Sequence, residues 1–487
     1  MRKLCAVLIF LILCAPLNVY AFIPLNAPSA VLMDQATGTV LFAQNEHERM
    51  YPAGLTKMLT ALVVLDYLDP QQVVVVGNEI YNIPRGALMA GHQVGEHITV
   101  HNLLRGLMIR NGNDSGAILA VQTAQAQRGR GNIPYVNVME IFSRMMNAYA
   151  RELGAYNTNF VNPNGLHHDD HYTTAYDLAL ISRAFMAHPL LGEIAGEVDF
   201  IGNSLYGFEG TLPDGLEIGD VRTIEHSWVD TNELISGGPF HFNYASGIRS
   251  GSTPQASDCV AAAAERDGVR LIAVVLDSPD PGRWQDARVL FDYGFSTYSY
   301  HPILERGQHI DTVVIANAML GEYDTLDVLA GEGFEALLSQ AQLGRLEREI
   351  VFYEDFIYVA EMDEYEDVIN QDDEPIYDEI RFRVPIYDGI RFRAPIEMNE
   401  ALGAVIYTLD GRVLFEGEIR AAFSIEERSL DSDMDFYIAL VLGTIFSMRA
   451  LPFWLGGAGV LLGIAGVYWG FSERRRSRNY WSNSRGR

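Results

Sequence analysis

Cysteine is nearly absent from this sequence: its 487 residues contain three, Cys5, Cys14 and Cys259. Three thiols cannot build a disulfide framework, so the fold has to rest on its apolar core. Basic residues are also scarce, 35 Lys+Arg against 63 Asp+Glu, which gives a formal net charge of −28. An acidic body repels phosphate and argues against nucleic acid as a partner. No phosphate-binding glycine loop and no dinucleotide fingerprint occurs, and no pattern calls for a metal or a cofactor. With 48% hydrophobic and 20% charged residues the composition is that of a globular protein, which excludes wholesale disorder. The length predicts two or three domains.

Apolar runs occupy both ends. Met1-Arg2-Lys3, an apolar run from Leu4 to Leu17 and Val19-Tyr20-Ala21 make the pattern of a signal peptide over residues 1–21. An uncleaved N-terminal anchor fits the same run. Ala450 to Phe471 is uncharged for 22 residues, enough to span a hydrocarbon core of roughly 30 Å as a helix. Arg474, Arg475, Arg476 and Arg478 follow it. Positive-inside logic then puts the tail, 472–487, in the cytoplasm and the main body outside, anchored in the cytoplasmic membrane. Residues 436–448 are apolar but short, which suits a juxtamembrane segment. Gly459 and Gly463 form a GxxxG spacing.

Between the ends, residues 22–297 mix two periodicities. Ala30–Met33 and Thr39–Phe42 flank the turn-forming stretch Asp34–Gly38 and predict a hairpin. Lys57–Leu68 is apolar nearly all round and predicts a buried helix. Thr99–Ala124 and Ile133–Leu153 have helical spacing. Cys259–Ala264 and Val269–Leu276 read as strands joined by an Arg-Asp-Gly turn. Strands at both ends of a helical middle predict an α+β domain around an antiparallel sheet. From 298 to about 430 short strand patterns dominate, at 312–316, 350–360, 380–385, 390–395, 403–408 and 413–419, and predict a small all-β domain. It contains a tandem repeat, PIYDEIRFRV at 375–384 and PIYDGIRFRA at 385–394, too few copies for a solenoid. Glu354 to Glu379 carries twelve acidic residues and no basic one, the composition of a solvated loop.

Polar residues break the apolar pattern at three places: Gly54-Leu55-Thr56-Lys57, Arg110-Asn111-Gly112-Asn113-Asp114, and Arg249-Ser250-Gly251-Ser252-Thr253. A lysine at the head of an apolar helix must be paired or catalytic, because burying an unpaired ammonium is costly.

In order and surroundings these stretches resemble the D-alanyl-D-alanine carboxypeptidases, the low-molecular-mass penicillin-binding proteins, with their Ser-x-x-Lys, Ser-x-Asn and Lys-Thr-Gly motifs. The flanking segments SAVLMDQATGTVLFAQN, NPNGLHHDDHYTTAYDLA and AAAAERDGVRLIAVVLDSPDPGRWQDARVLFDYGF carry the likeness over residues 25–297. RFRAPIEMNEALGAVIYTLDG extends it more weakly into the β-domain. The resemblance implies a β-lactamase/transpeptidase-like domain, and peptidoglycan stem peptides ending in D-Ala-D-Ala as ligand. It also implies a serine nucleophile at position 54, where this chain has Gly54. Lys57, the general base of the family, has no hydroxyl to activate. Asn111 stands where the family's proton-shuttling serine stands, while Asn113 remains. Arg249 and Ser250 replace lysine and threonine ahead of Gly251. Backbone N–H groups at Gly54 and Ser252 correspond to the oxyanion hole. Arg283 falls where the family's arginine holds the ligand's terminal carboxylate; a surface ion pair with Asp280 or Asp286 is the alternative for it.

Three hydroxyls lie near these motifs. Thr56 is about 200° around the helix from position 54, Ser115 should face elsewhere, and Ser250 would touch a bound peptide. His167, His168, Asp169, Asp170 and His171 form a polar cluster, which the resemblance implies is a surface loop. The expectation is therefore a membrane-anchored family member, catalytically impaired, that binds stem peptides. The alternatives are an active carboxypeptidase using an unusual nucleophile or an activated water, and a scaffold that holds cell-wall synthesis proteins at the membrane.

Overall fold

The computed structural model describes residues 23–128, 134–206, 222–316, 325–358, 391–427 and 430–445. They fall into two compact units, one up to Tyr300 together with Leu337–Gln340, the other from His301 to Ala336 and from Ala341 onward.

The first unit is built on a five-stranded antiparallel sheet. Its strands are β1 (Ser29–Asp34), β2 (Val40–Gln44), β7 (Ala245–Thr253), β8 (Ser257–Arg266) and β9 (Val269–Ser278), in the order β2-β1-β9-β8-β7. The predicted hairpin is β1–β2, closed by Asp34, whose carboxylate accepts from Thr37 N at 2.9 Å and from Thr37 Oγ1 at 2.6 Å. Both faces of the sheet are covered. Val31 and Met33 point into one apolar core, and their neighbours Ala30 and Leu32 into another, as the two-residue strand period requires.

The first core is filled by helices α1 (Thr56–Leu65), α2 (Val100–Met108), α3 (Asn113–Arg128), α4 (Tyr135–Glu152) and α5 (Ala175–Ala187). Helix α1 is buried from Thr56 to Val64, which explains why it is apolar nearly all round. The single run read at Thr99–Ala124 is two helices. It breaks at Asn111, whose φ of +60° is left-handed, a conformation asparagine tolerates better than most residues. The second core lies under one helix, α7 (Gly282–Thr297), through Trp284, Ala287, Leu290 and Phe291. Helix α6 (Pro189–Ala195) follows α5 directly.

A second antiparallel sheet, β3 (Val73–Val75), β4 (Glu96–Thr99), β5 (Asp199–Tyr206) and β6 (Arg222–Val229), was not foreseen in the sequence. The other unit is β-rich. Its main sheet joins His309–Val314, Thr325–Ala330, Arg412–Ala421, Ala401–Leu409 and Leu346–Phe352 in that order, around Leu326, Val328, Leu402, Val405 and Ile419. Of the apolar segment 436–448, the part up to Ile445 belongs to a helix, Leu430–Ile445. No single helix among the described residues is long and apolar enough to cross a membrane. The expected signal peptide, the 375–384 copy and most of the 385–394 copy of the repeat, most of the acidic stretch, the 450–471 span and the basic tail lie outside the described residues.

Candidate functional site

Gly54 sits in a 3-10 turn, Ala53–Leu55, that leads straight into α1. The turn begins at Ala53 with a φ of +46°, a conformation that costs an L-residue about 1–3 kcal/mol. Two close approaches hold it there. Gly165 lies against the Ala53 carbonyl, where a Cβ would come within 1.6 Å of the oxygen. Gly251, on the edge strand β7, lies against Gly54, where a Cβ would come within 2.3 Å of the Gly54 nitrogen. The glycine of the third motif is therefore demanded by packing. Gly54 itself is nearly enclosed. A Cβ there would meet Asn111 Oδ1 at 3.1 Å, the Ser250 carbonyl oxygen at 3.2 Å and Gly251 Cα at 3.3 Å.

Lys57, one turn on, is 1% exposed. Its Nζ donates to Asn113 Oδ1 at 3.0 Å and to the Asn164 carbonyl at 2.7 Å. Asn113 donates in turn from Nδ2 to the Leu88 carbonyl at 2.9 Å. Burial, and next the nearby Arg249 charge, push the lysine well below its usual pKa, with Asp114 pulling the other way. Two hydrogen bonds to neutral oxygens suit an amine that keeps a free lone pair, the state a general base requires. A hydroxyl for it to activate is missing at position 54. Thr56 Oγ1 donates to the Ala53 carbonyl at 2.9 Å and lies 2.9 Å from His171 Nε2. Ser115 Oγ is 2.9 Å from His92 Nε2. Asn111 Oδ1 is buried and has no hydrogen-bond partner among the described residues.

The structure thus brings Gly54, Lys57, Asn111, Asn113, Ser250 and Gly251 together. Arg249 is placed otherwise. It is fully buried, with Nε donating to the Ser250 carbonyl at 2.8 Å, Nη1 donating to the Met108 carbonyl, and Asp230 Oδ1 at 4.0 Å. Its charge acts through the protein interior. Ser252 is exposed, and Thr253 Oγ1 accepts from Ala256 N at 3.1 Å. Arg283 is in an ion pair, but with Asp258 at 2.5 Å rather than with Asp280 or Asp286; Asp286 instead holds the backbone N–H groups of Asn26 and Ala27. The guanidinium also lies over the Trp284 ring at 4.6 Å.

The His167–His171 cluster does not converge. His171 turns inward, accepts at Nδ1 from Val161 N at 3.2 Å, and is pushed down to about 3 by burial and next by the neighbouring His168. His167 packs edge-on against Tyr51. Asn164, Asp230 and Asp258 each act through a fold contact that no local motif announces.

Residues 20–280 match the protein family described as D-alanyl-D-alanine carboxypeptidase. Among curated relatives, D-alanyl-D-alanine carboxypeptidase DacF of Bacillus subtilis (strain 168) is 30% identical over 324 residues, 65% of this chain and 74% of the relative. D-alanyl-D-alanine carboxypeptidase DacD of Escherichia coli (strain K12) is 30% identical over 329 residues, 66% of this chain and 75% of the relative. Among solved structures, penicillin binding protein 5 from Haemophilus influenzae has a TM-score of 0.54 at 23% identity, over 83% of this chain and 98% of its own. The D-alanyl-D-alanine carboxypeptidase DacD from Francisella tularensis has a TM-score of 0.56 at 21% identity, over 84% and 95%. These two likenesses are of fold.

Proposed function

The chain belongs to the D-alanyl-D-alanine carboxypeptidase family, and we propose that it binds peptidoglycan stem peptides in the family's cleft without forming the acyl-enzyme. The observation that carries this reading is Gly54. The position that must supply the nucleophile has no side chain, and β7 closes on it to within 3.2–3.3 Å of where one would begin. The charged and polar frame around it is kept. Lys57 and Asn113 stay bonded, and Arg283 stays at the far end of the third motif. That frame supports a site that recognises a peptide without the family's chemistry. Removing such a nucleophile typically costs several orders of magnitude in rate, leaving only what binding and an oxyanion hole supply.

The anchoring reading belongs here too. Its support is compositional: a basic, apolar and small-residue start at 1–21, and an uncharged 22-residue stretch at 450–471 followed by arginines. On this reading the cleft works outside the cytoplasmic membrane, where its ligand is.

The test pairs binding with turnover. A fluorescent pentapeptide ending in D-Ala-D-Ala should bind the purified chain, lose affinity in Arg283→Ala, and release no D-alanine. Release of D-alanine at a rate typical of enzymes would overturn the proposal. Absence of binding would favour a scaffold.

A further inference from the structure

Behind the second motif, three buried side chains converge on one point. His92 precedes β4, Glu96 opens β4 and His226 lies on β6. Their residues are 5%, 0% and 4% exposed. His92 Nδ1 lies 3.2 Å and His226 Nε2 lies 2.7 Å from the same oxygen, Glu96 Oε1, and the three atoms are all within 4.8 Å of one another. We propose that His92, Glu96 and His226 are the ligands of one divalent transition-metal ion, zinc by preference.

The donor set is the first reason. Two imidazole nitrogens and a carboxylate oxygen suit zinc, which binds them at about 2.0–2.2 Å in tetrahedral geometry. Ligand atoms of such a site are about 3.3 Å apart, from the same bond lengths. The contacts to Glu96, 3.2 and 2.7 Å, lie just below that separation, so a small outward shift of the side chains would open the site to an ion.

The surroundings are the second reason. Metal-binding imidazoles and carboxylates are usually fixed by a hydrogen bond on their other atom. His92 Nε2 is 2.9 Å from Ser115 Oγ, and Glu96 Oε2 accepts from Gln93 N at 2.9 Å. Ser204 Oγ, 3.2 Å from His226 Nε2, is placed to supply a fourth ligand. Trp228 walls the cluster, with its ring 4.8 Å from that of His226 and 5.9 Å from that of His92, and its Nε1 donates to the Ala90 carbonyl.

The position gives the site a purpose. Asp114 accepts from the N–H groups of Ala90, Gly91 and His92, at 2.7, 2.8 and 3.1 Å. It adjoins Asn113, which holds Lys57. An ion at His92 would tie β4 and β6 to the loop and helix that carry the second motif. Its role is structural.

The test uses the untagged, full-length chain. Protein purified without chelator should carry one zinc per chain by plasma mass spectrometry. After chelation, Co2+ alone should restore binding and show the visible absorption of a four-coordinate nitrogen and oxygen site. Glu96→Gln and His226→Gln should abolish that spectrum. Ser115→Ala should weaken binding about 10–100-fold, and Cys259→Ser should leave it unchanged. If the ligand variants fail to fold, the wild-type stoichiometry and cobalt spectrum decide. Failure to take up Zn2+ or Co2+, or binding that persists unchanged in foldable Glu96→Gln, would overturn the proposal and leave a hydrogen-bonded cluster only.

Discussion

Arg283, at the head of α7, is bonded to Asp258 on β8, and Asp258 is paired in register with Ser252 of the third motif. The side chain that the family resemblance assigns to a ligand's terminal carboxylate is thus already holding one from its own chain. Only 16% of the Arg283 and 12% of the Asp258 side chain is exposed, so the pair is shielded from the screening that weakens surface ion pairs.

The first prediction concerns that competition. Asp258→Asn keeps the shape and removes the rival charge. A charge-assisted hydrogen bond contributes about 1.5–3 kcal/mol, so affinity for a peptide ending in a free carboxylate should rise about tenfold or more. A peptide amidated at its C-terminus should gain nothing. Fluorescence anisotropy with the two peptides checks this, and equal gains for both would refute the competition.

Restoring the serine alone should fail. In Gly54→Ser the new Cβ stands 3.1 Å from Asn111 Oδ1 and 3.2 Å from the Ser250 carbonyl. Overpacking of this kind costs about 1–3 kcal/mol. The variant should melt lower than the parent in a thermal scan and still take no label from a reporter penicillin. Adding Asn111→Ser removes one of the crowding atoms and should recover part of the stability.

The third prediction follows from His171. Its native value is about 3 against an ordinary 6.5, so the imidazole is neutral when folded at pH values where the unfolded chain would protonate it. The unfolded state then binds the extra proton, and stability falls as the pH drops from about 6.5 toward 3, by up to about 1.4 kcal/mol per unit. Denaturant unfolding across that range should show a shallower fall in His171→Gln than in the parent. Parallel curves would mean that the imidazole is not neutral.

Much of this was legible in the sequence, for identifiable reasons. Helix α1 and the middles of strands β8 and β9, Cys259–Ala264 and Leu271–Leu276, are largely apolar because they are buried on all sides or both faces, and such runs announce themselves. The sheet β3-β4-β5-β6 does not. Strand β5 has one buried residue among exposed and half-exposed ones, and β3 has three residues. Gly54 could be read as a missing nucleophile, but its enclosure by Ser250 and Gly251 depends on where an edge strand lies. Asp258 sits in an ordinary strand, and only the arrival of α7 above it makes it a partner for Arg283. His92 and His226 lie 134 positions apart, with none of the spacing that marks a metal motif.

The central claim is that no acyl-enzyme forms. Its most direct test is intact-protein mass spectrometry of the purified chain after incubation with a reporter penicillin. The account predicts an unmodified mass under conditions that fully label an active relative. A stoichiometric penicilloyl adduct, mapped to any residue of the cleft, would contradict it.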